Sequence, residues 1–123
     1  MKAIIFGANG QDGYYLRNLL QKQGIEVIGI SRTGGFLTTD ISSFHEVELL
    51  IKHSQPEFVF HLAANSTTRH EAMFENHQTI AAGTLNILES VLLHSIQTKV
   101  FISGSGLQFV NLNRPIKETD PFE

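Results

Sequence analysis

Apolar runs and helical patterns alternate along this chain from its first residues. Lys2 to Phe6 reads as a short, continuously apolar strand, the pattern of a strand covered on both faces. Behind it Tyr15, Leu16, Leu19 and Leu20 fall on one helical face, with Arg17, Asn18, Gln21 and Lys22 towards water. Gly24 stands where a helix C-cap glycine belongs. Glu26 to Ile30, "EVIGI", is a second strand, and "GGFLTTD" reads as a glycine turn and a short third strand ending near Asp40. Ser42 or Ser43 then caps a helix that turns Phe44, Val47, Leu50 and Ile51 inward and Glu46, Glu48 and Lys52 outward. After Pro56, "EFVFHLAA" is a fourth buried strand. A helical region runs from about Ala72 to His94, and "KVFISGSG" is a fifth strand. The tail "NRPIKETDPFE" is polar, holds two prolines and has no periodicity, so it reads as a loop.

Strand and helix in this rhythm imply right-handed crossovers and a parallel sheet. The expected fold is doubly wound α/β with strand order 3-2-1-4-5. The 123 residues suit one domain. A formal net charge of -3 disfavours nucleic acid and acidic membranes as partners, since both require a basic patch. No apolar run approaches the length that crosses a bilayer, and the apolar core of "MKAIIFGANG" is too short for a signal peptide. The absence of cysteine excludes thiolate chemistry and disulfides and fits a reducing cytosol, so a cytoplasmic protein is expected. "NST" at Asn65 is read as a chance glycosylation signature.

The candidate chemistry starts at "IIFGANGQDGYYLRNLL". Gly7, Gly10 and Gly13 lie three apart, after the first buried strand and at the opening of an amphipathic helix. In a doubly wound sheet, ligands bind at the carboxyl ends of the strands where the order reverses, which is beside strand 1. Gly7 lets the chain turn off the strand, Gly10 leaves room for a pyrophosphate, and Gly13 lets the helix pack tightly. The helix N–H groups and dipole favour the anion. At the end of strand 2 an acid would select NAD, whereas an arginine accommodates a 2′-phosphate. Ser31 and Arg32 stand there, which points to NADP(H); a solvated surface charge is the other reading of Arg32. Asp40 is placed to meet the adenine amino group or to serve only as a turn residue before the helix. Small Ala63 and Ala64 in "HLAANS" leave room for a cofactor, or merely fill a crowded strand end. His70 and His77 could share a helical face, but no third ligand accompanies them, so no metal site is expected.

These stretches together resemble the extended short-chain dehydrogenase/reductase family of NAD(P)-dependent sugar-nucleotide epimerases and dehydratases. "GANGQDGYYL" is similar to the GDP-mannose 4,6-dehydratase branch, and "PEFVFHLAANS", "AAGTLNILESV", "KVFISGSGLQF" and "RPIKETDPFE" resemble later family segments. The resemblance covers nearly the whole chain. It implies a Rossmann-type domain over residues 1–123 whose cofactor is lined by Gly7, Asn9, Gly10, Gln11, Asp12, Gly13, Arg32, Asp40, Ile41, Leu62, Ala63, Ala64 and Ser66. It also implies a nucleotide-sugar substrate and a homodimer through the 72–94 helix. That helix carries two apolar stripes, Ala81-Leu85-Leu88-Leu92 and Ile80-Thr84-Ile87-Val91.

Two departures qualify the resemblance. The family's Tyr-x-x-x-Lys pair is missing: Tyr14 and Tyr15 are the only tyrosines, and neither has a lysine four residues on. The chain is therefore read as the N-terminal portion of a longer enzyme. At strand 5, Gly104 falls in the family's hydroxyl slot and Gly106 where dehydratases keep a glutamate, which leaves 4,6-dehydration without an evident base. Ser103 or Ser105 could supply the hydroxyl, with Ser105 preferred. The expected function is the cofactor portion of a sugar-nucleotide epimerase, reductase or dehydratase; the alternative is a non-catalytic dinucleotide-binding module or redox sensor. A flavodoxin-like domain without a dinucleotide is disfavoured by the complete glycine turn.

Overall fold

A computed structural model of the chain describes residues 1–63, 70–104 and 109–122. Four strands, β1 (Lys2–Phe6), β2 (Glu26–Ile30), β3 (Phe58–His61) and β4 (Lys99–Ile102), form one sheet in the order β2-β1-β3-β4. Every pairing is parallel: Ala3 lies opposite Val27 on one side and Phe58 on the other, and Phe58 lies opposite Lys99. This is the expected order with the third strand removed. That stretch makes only one bridge, Ile30 to Leu37. Gly34 and Gly35 both take positive φ, 80° and 74°, so the chain curls where a strand would extend, and Leu37 is left exposed.

Apolar side chains of the central strand alternate between two cores. Ile4 and Phe6 join Ile30, Val59, Val47, Ile51, Ile87 and Val91 on one face, while Ala3 and Ile5 join Ala8 and Leu20 on the other. The first face is closed by α2 (Phe44–Ser54) and α4 (Gly83–His94), the second by α1 (Gln11–Lys22). Val47, Ile51, Val59 and Ile87 are completely buried, each worth about 1.5–3 kcal/mol relative to exposure.

α1 corrects its expected face. Leu20 is buried and Leu16 half-buried, but Tyr15 and Leu19 point to solvent. The contact stripe is Gly13-Leu16-Leu20, and Arg17 shares it, its guanidinium lying over the rings of Phe36 and Tyr14. A wheel of apolar residues misses this because the closest contact comes from a glycine. The helix ends as expected: Gly24 N–H donates to Gln21 O and Ile25 N–H to Leu20 O, both at 3.0 Å. Ser43 is the residue that caps α2, accepting from Glu46 N–H at 3.4 Å. Phe44, expected inside, lies at the exposed start of that helix.

The helical region before β4 is composite. After a short 3₁₀ turn come α3 (Met73–His77), a π-helical turn (Gln78–Ala82) and α4. In α4, Ile87 and Val91 are buried as one stripe, whereas Leu85, Leu88 and Leu92 of the other are 64%, 46% and 61% exposed. The tail is a loop, but a closed one. Val110 N–H donates to Pro121 O, the Phe109 and Phe122 rings meet at 4.8 Å, and Arg114 grips Asp120 through both carboxylate oxygens at 2.9 and 2.7 Å. That pairing holds the Asp120 carboxyl below its ordinary range and raises the Arg114 guanidinium.

Candidate functional site

The three glycines meet three different environments. Gly7 has φ 90°, and a Cβ there would come within 2.8 Å of both Leu62 C and Ala63 N, so only glycine lets the turn lie against the end of β3. At Gly13 a Cβ would stand 2.4 Å from Gly7 O and 2.9 Å from Ala8 C, which is why α1 can start so close to the sheet. Gly10 is the reverse case. Its φ of -78° suits any residue, and a Cβ would meet only Gly7 O, at 3.4 Å. What glycine preserves at position 10 is open space in front of the helix.

That space faces a helix terminus with no side-chain cap. Tyr14 N–H makes the first helical bond, to Gly10 O at 3.0 Å, which leaves the preceding amides of Gln11, Asp12 and Gly13 without helical acceptors. Open space at Gly10, N–H groups without helical acceptors and the positive end of the helix dipole coincide, and they suit a phosphate. The turn itself is rigid: Gly7 and Ala8 N–H both donate to Ile30 O, at 2.9 and 3.0 Å, tying it to the end of β2.

The loop after β2 is fastened to this turn. Asn9 Nδ2 donates to Thr33 Oγ1 at 2.9 Å, and a Cβ on Gly34 would lie 2.6 Å from Asn9 Oδ1. Ser31 N–H donates to Leu37 O, closing a loop that opens with Arg32, whose side chain is exposed. Arg32 is ion-paired with Glu75 of α3. Leu62 and Ala63 present their backbone to Gly7, and Leu62 N–H donates to Phe6 O at 2.8 Å.

Two expected lining residues have structural work here. Asp40 Oδ1 accepts from Ser42 N–H and Oγ–H at 2.9 and 2.7 Å, bracing the turn into α2, which is the turn-residue reading of Asp40. Ile41 packs on the core, its carbonyl accepting from Asn86 Nδ2 at 2.9 Å, and a Cβ on Gly83 would meet its side chain at 3.0 Å. Ala64, Ser66 and Ser105 lie outside the described residues. At the end of β4, Ser103 N–H and Oγ–H both donate to His61 O at 3.2 Å, and Gly104 is exposed.

Sequence reading missed His61. It ends β3, is 3% exposed, and meets the Phe6 ring edge-on. Its Nε2 lies 3.1 Å from Thr79 O in the π-helical turn. A carbonyl only accepts, so Nε2 carries the proton and Nδ1 is the lone-pair nitrogen, buried without a partner among the described residues. Burial pushes the imidazole pKa below its ordinary value, opposed by the nearby backbone carbonyls of Thr79 and Ile80. A histidine inside the apolar run "FVFHLAA" was the available signal. Thr33 and Glu75 carry no sequence signal, because their partners are distant in the chain.

A parallel doubly wound sheet whose first strand opens through a glycine turn onto an uncapped helix defines the nucleotide-binding class of α/β domains. The chain belongs to the NAD dependent epimerase/dehydratase family, whose model matches residues 3–123. The GDP-mannose 4,6-dehydratase of Yersinia enterocolitica is 32% identical over 151 residues, covering 98% of this chain and 40% of that protein. The chain thus spans about two-fifths of the length of the curated relatives it matches. In fold it is similar to the Thermus thermophilus UDP-glucose 4-epimerase complex with NAD, with TM-score 0.79, 22% identity, and cover of 100% of this chain and 44% of that one. It is also similar to the dTDP-4-dehydrorhamnose reductase of Bacillus anthracis in complex with NADP: TM-score 0.66, 24% identity, 80% and 34% covered. Among the described residues no helix is long and apolar enough to cross a membrane.

Proposed function

We propose that residues 1–123 form the dinucleotide-holding domain of an enzyme that moves hydride at a carbon of a nucleotide sugar. The observation that carries this reading is the open space at Gly10 in front of the uncapped N-terminus of α1. The amides of Gln11, Asp12 and Gly13 would hold the pyrophosphate, Arg32 would face the adenosine ribose, and the backbone of Leu62 and Ala63 would border the cofactor. When bound, NAD(P) supplies the hydride acceptor. Relatives and fold neighbours carrying nucleotide-sugar and NAD or NADP names support the substrate and cofactor classes. NADP(H) is the preferred cofactor on the evidence of Arg32, and the chemistry is epimerisation, reduction or dehydration.

The test is titration of the chain with NADPH and NADH by nucleotide fluorescence or calorimetry. Binding is expected, and Gly10→Val should weaken it at least about tenfold by filling that space. No binding at millimolar dinucleotide by a chain that circular dichroism shows to be folded would refute the reading. The exposed stripe Leu85-Leu88-Leu92 supports a homodimer through the 72–94 helix, checked by sedimentation. A non-catalytic module is the second reading. Gly104 in the family's hydroxyl slot favours it, and among the described residues the neighbouring Ser103 hydroxyl is turned back onto His61 O.

A further inference from the structure

We propose that Glu75 sets the cofactor choice of this site by occupying the guanidinium that a 2′-phosphate would take. The inference rests on the dinucleotide reading above and adds to it a residue from outside the cofactor turn.

The geometry carries it in two parts. Arg32 opens a loop that is closed by Ser31 N–H to Leu37 O and pinned to the glycine turn by Asn9 Nδ2 to Thr33 Oγ1. Its backbone is therefore fixed beside the cofactor turn, at the end of β2 where the adenosine ribose would lie. Its side chain is 76% exposed, and Glu75 meets it from α3, across 43 residues of sequence. Arginine binds carboxylate and phosphate through the same donor fork, so one guanidinium serves them in competition.

The consequence is a selective handicap. NADP(H) brings a 2′-phosphate that must share the guanidinium with the Glu75 carboxylate, which meets it through Nη1, and sit beside that negative charge. NAD(H) brings a 2′-hydroxyl, which leaves the ion pair in place. Arg32 with Glu75 therefore gives a smaller preference for NADP(H) than Arg32 would give without Glu75. The pair is exposed, so the discrimination is modest and falls with added salt.

The experiment measures NADPH and NADH dissociation constants for the chain and for Glu75→Gln, Arg32→Ala and the double variant. Glu75→Gln should tighten NADPH about three- to tenfold while NADH stays within about twofold, from the loss of one screened charge beside the phosphate. On the Arg32→Ala background the same substitution should leave the NADPH to NADH ratio unchanged, because the coupling runs through the guanidinium. A Glu75→Gln effect equal for both cofactors, absent, or intact without Arg32 overturns the proposal and leaves the dinucleotide reading standing. Failure of the folded parent chain to bind either cofactor overturns both. Both residues are exposed, and circular dichroism of each variant checks that the fold is kept.

Discussion

The carboxyl ends of β1 and β4 lie on the same edge of one sheet and are built differently. Behind β1, Gly7 and Ala8 N–H share Ile30 O, Gly10 N–H returns to Gly7 O, and room for a ligand is made by leaving out a Cβ. Behind β4, among the described residues, Ser103 is anchored onto His61 O and leads to an exposed glycine. The difference follows from what each end would have to do. A pyrophosphate is held by backbone amides, which a turn of a dozen residues can supply unaided. Proton and hydride chemistry needs side chains at set positions, and this chain has no Tyr-x-x-x-Lys to bring there.

The strongest way to break the β1 end is Gly13→Ala. Alanine at a helix position ordinarily gains about 1 kcal/mol over glycine. Here its Cβ would stand 2.4 Å from a backbone oxygen and 2.9 Å from two backbone carbons, none of which can move without taking the turn with it. We expect a net loss of about 2–4 kcal/mol, read as a lower urea midpoint. A neutral or stabilising result would mean the turn is looser than the packing implies. Gly10→Val sharpens the contrast between two glycines of one motif. Its stability cost should stay under about 1 kcal/mol, the scale of an N-cap preference, while dinucleotide affinity falls at least about tenfold. Equal losses of stability at both glycines would erase the distinction between packing and ligand space.

Much of the β1 end was legible in sequence, since the glycine spacing, the buried strand and the helix pattern all pointed the same way. The bounds of β1 and β2 and the Gly24 helix end came out as read. What was not legible depended on partners far along the chain. Arg17 turns inward because Phe36 offers it a ring, and Asp40 is engaged by Ser42 where an adenine partner was an open alternative. The Gln78–Ala82 turn winds as a π helix, a geometry without a local residue pattern, and there it meets a histidine from β3.

His61 lies between the two strand ends and joins them, since its ring braces the helix while its carbonyl anchors Ser103. Unfolded, it titrates near the ordinary 6.5; folded, burial lowers its pKa. The unfolded chain therefore binds more protons between those two values, so stability falls as pH drops through about 6.5 and levels off below the folded value. Urea midpoints at pH 7.5 and 5.5 should show this loss, and His61→Phe should show less of it. Identical pH slopes would take His61 out of the account.

The smallest expected effect lies at the β4 end, in Ser103→Ala. The hydroxyl shares His61 O with the Ser103 amide, each at 3.2 Å, so removing it leaves that acceptor satisfied and no buried group orphaned. A lost hydrogen bond whose acceptor keeps another donor should cost about 0.5 kcal/mol or less, and dinucleotide affinity should not change. If instead Ser103→Ala weakened NADPH binding severalfold, the β4 end would have to be counted as part of the cofactor site. Its plainness would then reflect side chains that reach the ligand rather than the neighbouring strand.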